Sequence, residues 1–255
     1  MSAGLHIVRL VLDRRELARV AVRHGLSRSV DEGYLLHAGL SQLFATSSER
    51  AKVPFHTFAV DDTLKEAAEH PELVYLLAYS DLDEAGLNAR MGPARASLVR
   101  KCASRPLHPV PAGTRAVFRL RACPIKRYGK DSKQFREEKK KQGAIEIDAY
   151  VAACIQAGPG VVVDRSLVYR NWLERQLDAR PGARLVDVEV ASFHRDRLSR
   201  QTQGEERRGH GCERPDVTFA GALEVTDAPA FDELLRRGVG RHRAFGFGML
   251  RLRSS

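Results

Sequence analysis

The stretch GVGRHRAFGFG at residues 238–248, followed by the strand-like MLRLR at residues 249–253, decides how this 255-residue chain folds at its end. Four glycines surround a basic cluster at 241–243, directly after a predicted helix over Ala228–Arg237. Glycine lets a backbone approach a polyanion closely, and the basic side chains add charge there. Nucleotide-binding glycine loops run from strand into helix, whereas this one runs from helix into strand, which argues against a Rossmann or P-loop site. The alternative is a helix cap at Gly238 followed by a plain turn.

The charge of the whole chain favours a polyanionic partner. Lys and Arg number 42 against 32 Asp and Glu, a net charge of +10, which suits a nucleic acid without choosing between DNA and RNA. The four cysteines contain no CxxC pair, so neither a disulfide framework nor a zinc site is predicted, and we expect no metal and no cofactor. No segment approaches the ~20 apolar residues of a membrane span, so we expect a soluble, cytoplasmic protein.

The order of predicted elements indicates two α+β halves. We expect an N-terminal domain over 1–128, a linker or insertion over 129–163, and a C-terminal domain over 164–255. Residues 114–122 alternate charged and apolar side chains, which predicts a strand with one basic face in the first half. Residues 195–214 are predicted to form a long basic loop between two strands, which would let it project as a hairpin.

One predicted helix carries the strongest candidates for chemistry. It begins at an N-cap, Asp31, and continues to Phe44, with leucines and Phe44 on a stripe that faces a core. At roughly 100° per residue, Tyr34, His37 and Ser41 fall on a second line at the edge of that core. Histidine is the usual proton donor or acceptor near neutral pH, and a phenol can orient a phosphate. The alternative is a boundary histidine packed against Phe44.

Four segments, in order along the chain, resemble the CasE (Cse-type) family, the CRISPR RNA-processing endoribonucleases of type I-E Cascade. They are the helix from Tyr34 to Phe44, the stretch from Phe118 to Arg127 (FRLRACPIKR), the stretch from Val217 to Leu235, and the glycine loop with its strand from Gly238 to Leu252. The resemblance covers most of the chain.

This resemblance implies two tandem ferredoxin-like (RRM-like) domains, an α+β fold. It also implies a metal-independent cut in CRISPR precursor transcripts, within the repeat and beside a stem-loop. The 2′-OH would attack the adjacent phosphate and leave 2′,3′-cyclic phosphate and 5′-OH ends. The family's catalytic histidine and tyrosine fall on His37 and Tyr34. The implied partners are CRISPR repeat RNA, which the protein would retain, and other Cascade subunits, with no membrane.

Three basic regions are predicted to bind the RNA. The strand region supplies Arg119, Arg121, Lys126 and Arg127. The basic loop supplies Arg195, Arg197, Arg200, Arg207 and Arg208, unless it only aids solubility. The glycine loop supplies Gly238, Gly240, Arg241, His242, Arg243, Gly246 and Gly248. The competing function is a catalytically silent subunit that binds an RNA stem-loop; a DNA-binding regulator is disfavoured because no helix-turn-helix is visible.

Overall fold

The computed structural model describes residues 4–23, 32–45, 53–129, 145–201 and 209–253. Their strands form two four-stranded antiparallel sheets and a separate two-stranded sheet. Both large sheets have the strand order of a ferredoxin-like fold, so the predicted class of two tandem ferredoxin-like units is confirmed. Among these described residues, no helix combines the length and the apolar character needed to cross a membrane.

The first unit alternates strands and helices. Its elements are β1 (His6–Asp13), α1 (Arg14–Arg23), α2 (Glu32–Leu43), β2 (Thr57–Val60), α3 (Lys65–Glu69), β3 (Leu73–Ser80), α4 (Glu84–Arg90), α5 (Arg95–Leu98) and β4 (Val99–Pro106). The strands lie in the order β2-β3-β1-β4. Alternate residues of β1, namely Val8, Leu10 and Leu12, are fully buried, which directs one face of the sheet toward the helices.

Helix α2 is positioned by its leucines. Leu36, Leu40 and Leu43 are at most 1% exposed, as the predicted core stripe requires. Gly39 lets α2 approach α1 closely, because a Cβ at this position would lie 2.3 Å from Leu17 Cδ2. The predicted N-cap at Asp31 lies outside the described residues.

The second unit is built around a longer hairpin. Its elements, with the small sheet formed by β6 and β7, are β5 (Arg115–Ala122), β6 (Ile125–Tyr128), β7 (Ile145–Asp148), α6 (Ala149–Ala157), α7 (Arg165–Asp178), β8 (Ala183–Gln201), β9 (Gly209–Val225), α8 (Ala228–Arg237), a 3₁₀ turn (Arg243–Phe245) and β10 (Leu250–Arg253). The large sheet has the order β10-β5-β9-β8.

Strand β5 lies in a different sheet from the one that the sequence predicts. It pairs with β9 and β10 in the second sheet, not with the strands of the first half. The reason is its apolar face: Phe118 and Leu120 are buried in one cluster with Trp172 and Phe219. The two large sheets therefore divide the chain between β4 and β5, earlier than residue 128.

The predicted basic loop over 195–214 is mostly strand. Strands β8 and β9 remain paired as far as Gln201 and Gly209, so the described part of this region is an extended β-hairpin. The projecting hairpin that the sequence indicates is therefore present in the described residues, where the backbone ladder continues as far as Gln201 and Gly209.

Polar contacts join the two units beside α2. The Thr57 hydroxyl donates to the Leu235 carbonyl at 3.3 Å, and the Tyr79 hydroxyl donates to the Leu250 carbonyl at 2.9 Å. The Arg236 guanidinium forms an ion pair with Asp81. These contacts place the end of α8, and the glycine loop that follows it, against the first unit.

Candidate active site

Helix α2 presents a tyrosine and a histidine one turn apart. The ring centroids of Tyr34 and His37 are 6.4 Å apart, with the ring planes at 72°. Both side chains are half-buried, because the leucine stripe fixes the rotation of the helix and leaves them at its edge. The structure therefore places them where the helical spacing predicts.

The glycine loop brings Phe245 against both rings. Its ring stacks on Tyr34 with centroids 6.2 Å apart, and lies 5.4 Å from the His37 ring. Phe44, the partner of His37 in the alternative interpretation, packs edge-on against Phe55 at 5.5 Å. The catalytic candidates thus face the loop from the second unit.

Three of the four glycines in the loop use their backbone amides in hydrogen bonds within the protein. The amides of Gly238, Gly246 and Gly248 donate to protein carbonyls at 2.8, 3.1 and 2.7 Å. The sequence predicts that these three amides hold RNA phosphates, but their hydrogen-bonding capacity is already used. Gly238 also ends α8 with φ +65°, so the helix-cap interpretation is right for this residue.

Two glycines are required by close packing as well as by conformation. Gly240 has φ +80°, and a Cβ there would lie 2.9 Å from Trp172 Cη2. Gly248 has φ +86°, and a Cβ there would lie 2.6 Å from the Val239 carbonyl oxygen. A side chain at Gly240 would displace the loop from α7, and one at Gly248 would displace it from its own first residues at Val239.

A cavity of about 910 Å³ lies between α2 and the glycine loop. Its polar and basic lining consists of His37, Ser41, His56, Arg180, Arg241, His242 and Arg243. The predicted line through His37 and Ser41 therefore opens into it, and the basic residues of the loop form the opposite wall.

The charges around this cavity favour an anion. Burial lowers the pKa of His37, so its imidazole is mostly neutral near pH 7. Burial, and then the nearby charges of Arg243 and Arg237, lower the pKa of Arg180. Clustered arginines that repel one another are stabilised by a bound phosphate.

Two of the three basic residues of the loop lie against one carboxylate, and the third lies against the end of α8. Arg241 Nε lies 2.8 Å from Glu146 Oε1, and His242 Nε2 lies 3.5 Å from Glu146 Oε2. The Arg243 guanidinium donates to the Arg237 carbonyl. His242 therefore lies beside a carboxylate of β7 and also lines the cavity, and its contact with RNA stays a prediction.

Two arginines of β5 are enclosed. Arg121 forms ion pairs with Asp216 at 2.6 Å and Asp196 at 3.1 Å, and its guanidinium lies over the Phe247 ring at 4.5 Å. Arg119 is half-buried, and no described residue accepts a hydrogen bond from its Nε. Because two carboxylates already compensate Arg121, we assign it a structural role in place of the predicted contact with RNA.

The remaining predicted contacts lie on the surface or beyond the described residues. Lys126 and Arg127 are exposed on β6. Arg195 is 3.9 Å from Glu213 across the hairpin. Arg197 and Arg200 belong to β8, whereas Arg207 and Arg208 fall outside the described residues.

Comparison with known proteins decides the family. A model of the family described as CRISPR associated protein matches residues 5–254. The chain belongs to this CRISPR-associated family. Its membership agrees with the resemblance carried by the α2 helix and the glycine loop.

The similar proteins of known name share less than a third of their aligned residues with this chain. The CRISPR-associated endoribonuclease Cse3 of Thermus thermophilus is 31% identical over 153 residues, which are 57% of this chain and 59% of that protein. The match thus spans less than two thirds of that relative. A solved structure of CRISPR endoribonuclease Cse3 bound to a 19-nucleotide RNA covers 98% of this chain and 100% of its own, with a TM-score of 0.62 and 22% identity. Cas6e from Escherichia coli str. K-12 covers 97% and 98%, with a TM-score of 0.56 and 24% identity. These likenesses support the CRISPR-associated fold.

Four side chains of the site are not predicted by the sequence. They are Phe245, His56, Arg180 and Glu146. His56 Nε2 lies 2.8 Å from Asp81 Oδ2 and lines the cavity from the first unit. Only Phe245 carries a local signal, an aromatic residue among glycines; the others reach the site through tertiary packing.

Proposed function

We propose that this protein is an endoribonuclease that cuts CRISPR precursor transcripts within the repeat, beside a stem-loop, without a metal ion. The 2′-hydroxyl of the RNA gives its proton to a base while its oxygen forms a bond to the adjacent phosphorus, and the bond from phosphorus to the 5′-oxygen breaks. The products carry a 2′,3′-cyclic phosphate and a 5′-OH. The observation that carries the proposal is the Tyr34–His37 pair facing a basic glycine loop across one cavity. Family membership and the name of the 31% identical relative support it.

In this reaction the protein supplies no nucleophile. It holds the 2′-oxygen in line, transfers protons and compensates charge on phosphorus. We assign to His37 the proton delivered to the leaving 5′-oxygen. A phosphate beside the ring raises its pKa again, because a neighbouring negative charge favours the imidazolium. Tyr34, half-buried next to it, orients the phosphate.

The basic residues divide into two groups in this proposal. Arg180, Arg241 and Arg243, which line the cavity, compensate the scissile phosphate. The β8–β9 hairpin and the exposed Lys126 and Arg127 bind the phosphates of the stem, which positions the repeat without reading its bases.

The two units would have separate tasks. The first unit, as far as β4, carries the catalytic helix, and the second, from β5 onward, carries the glycine loop and the RNA-binding hairpin. Residues 129–163, which include β7 and α6, would be an insertion within the second unit. We further propose that the protein keeps the processed RNA as a subunit of cytoplasmic Cascade.

A cleavage assay in EDTA tests the function. Purified protein is incubated with its cognate repeat RNA, and we expect a shortened product that ends in a 2′,3′-cyclic phosphate. The same RNA with a 2′-deoxy group at the scissile position should bind and remain intact. Binding of the normal RNA without cleavage would favour the catalytically silent subunit, and cleavage of the 2′-deoxy RNA would contradict the mechanism.

A further inference from the structure

Glu146 contacts three basic side chains, two of which line the cavity. Its side chain is 12% exposed, and its carboxylate lies 2.8 Å from Arg241 Nε, 3.5 Å from His242 Nε2 and 3.3 Å from Arg214 Nη2. Three basic side chains therefore share one half-enclosed carboxylate.

The three basic residues that contact Glu146 come from different parts of the second unit. Arg214 belongs to β9, at the base of the hairpin, and also donates from Nη1 to the Glu146 carbonyl at 2.8 Å. Arg241 and His242 belong to the glycine loop. Strand β7 itself pairs with β6, where Glu146 stands opposite Arg127. Glu146 therefore connects three regions that are predicted to bind RNA.

The carboxylate is charged under all working conditions. His242 first, and then Arg241 and Arg214, lower the pKa of Glu146 to about 2, although burial opposes this. Removing the charge would leave the guanidinium groups of Arg214 and Arg241 close together without a counter-charge.

A residue beside this carboxylate adopts an unfavourable backbone conformation. Among the described residues, His242 is the one non-glycine residue with positive φ, +62°. Such a conformation persists only where surrounding contacts determine it. The His242 ring lies 6.3 Å from Phe245, whose ring in turn contacts His37 and Tyr34. A continuous series of contacts therefore leads from Glu146 to the catalytic pair.

We infer that Glu146 is a positioning residue for the cleavage reaction, a role that rests on the proposed function. It fixes Arg241 and His242 so that the glycine loop presents Phe245 to His37 and Tyr34 and encloses the cavity. It contacts neither the scissile phosphate nor the catalytic pair directly.

The inference predicts a loss of rate that exceeds any loss of affinity. Glu146→Gln keeps the shape and removes the charge; we expect single-turnover cleavage to fall roughly 10- to 100-fold, as for a misplaced reacting group. The Kd for 2′-deoxy repeat RNA should change by less than about threefold, and Glu146→Asp should recover part of the rate. In a His37→Ala background, Glu146→Gln should cost at most roughly twofold, because the two residues act in one series of contacts.

A measurement without RNA separates this inference from the proposed function. Trp172 is the only tryptophan of the chain, is 6% exposed and is covered by Gly240 of the loop. Displacement of the loop in Glu146→Gln should therefore increase acrylamide quenching of Trp172. The matched control is Glu224→Gln, which removes a surface ion pair with Arg184 and should change neither quenching nor cleavage.

Each outcome decides. Glu146 is not a positioning residue if the Glu146→Gln protein shows wild-type acrylamide quenching of Trp172 and a wild-type cleavage rate. The same conclusion follows if its cleavage rate falls only in proportion to its affinity for RNA. If it unfolds, His242→Asn replaces it, since asparagine accepts positive φ while the imidazole contacts are removed; a stable His242→Asn protein with wild-type quenching and rate would overturn the inference. A wild-type protein that does not cleave refutes the proposed function, and the quenching comparison then still tests whether Glu146 holds the loop.

Discussion

Helix α2 and the glycine loop face each other across one cavity, but their positions have different physical origins. The helix is held by the buried side chains of Leu36, Leu40 and Leu43, which take no part in the chemistry. His37 lies on a different face of the helix, so the packing of α2 does not depend on it. The conformation of the loop is held by glycines with positive φ, by backbone hydrogen bonds and by the ion pair of Arg241 with Glu146. Gly240 and Arg241, which help to fix the conformation of the loop, also line the cavity. Changes in α2 should therefore separate catalysis from stability, whereas changes in the loop should not.

The largest effect is expected from removing the His37 side chain on helix α2. His37→Ala should lower the cleavage rate by roughly 10²–10⁴-fold, as expected when a general acid or base is removed. Affinity for 2′-deoxy repeat RNA and the melting temperature should stay close to wild type, because the leucine stripe is untouched. Near-normal cleavage by this variant would remove His37 from the mechanism.

Replacing arginines of the β8–β9 hairpin should change the affinity for RNA and leave the chemical step unchanged. Four arginines are replaced by glutamine: Arg197, Arg200, Arg207 and Arg208. RNA binding should weaken, and the slope of log K against log salt should become shallower by about 0.9 for each phosphate that the protein no longer neutralises. The control removes equal charge from exposed arginines elsewhere: Arg90, Arg115, Arg170 and Arg184. Equal slopes in the hairpin variant and the wild type would show that the hairpin does not bind phosphates.

A glycine pair tests the loop side. A Cβ at Gly246 (φ +84°) would lie 3.4 Å from Phe58 Cε2, whereas Gly113 (φ +82°) has open space and lies in the turn before β5. Valine at either position should cost about 1–3 kcal/mol of stability through backbone strain. Only Gly246→Val should also lose cleavage and RNA affinity. If the two variants behave alike in the RNA assays, the conformation of the loop is irrelevant to function.

The pH dependence should report the burial of His37. Burial lowers its pKa, so with RNA below saturation the rate should fall as pH rises through an inflection below about 6.5, where the proton donor is lost. With saturating RNA the inflection should move to higher pH, because the bound phosphate favours the imidazolium. A profile of His37→Ala that keeps the same inflection would assign it to another group.

The smallest effect is expected at Tyr34. Tyr34→Phe removes one hydroxyl and keeps the stacking on Phe245, so the rate should fall only about 2- to 10-fold, the value of one hydrogen bond. A decrease as large as that of His37→Ala would make Tyr34 a direct participant in proton transfer.

Local patterns predict the elements whose structure depends on near neighbours. The spacing of apolar residues indicates α2, and the helix from Ala228 to Arg237 is found with the same bounds, capped by Asp227 and ended by Gly238. The alternation in β5 indicates a strand. Its pairing depends on Trp172 and Phe219, which lie far along the chain, and so the sequence assigns it to the wrong half.

The site depends still more on distant residues. The local pattern around Arg121 shows a basic face and predicts a contact with RNA, but Asp216 and Asp196 meet this arginine only in the folded sheet. Glu146 and His56 carry no motif at all. Their importance arises from the cations and the cavity that the fold brings to them.

In the proposed reaction, the cavity between α2 and the glycine loop holds the scissile phosphate. The most direct measurement is a structure of the wild-type protein with repeat RNA that carries a 2′-deoxy group at the scissile position. We expect the 5′-oxygen of that phosphate at roughly 2.6–3.2 Å from a ring nitrogen of His37, with Phe245 and Arg243 on the opposite side. A scissile phosphate elsewhere, for example in the groove on the first sheet lined by Arg9, Lys101, Arg105 and Arg253, would contradict the account.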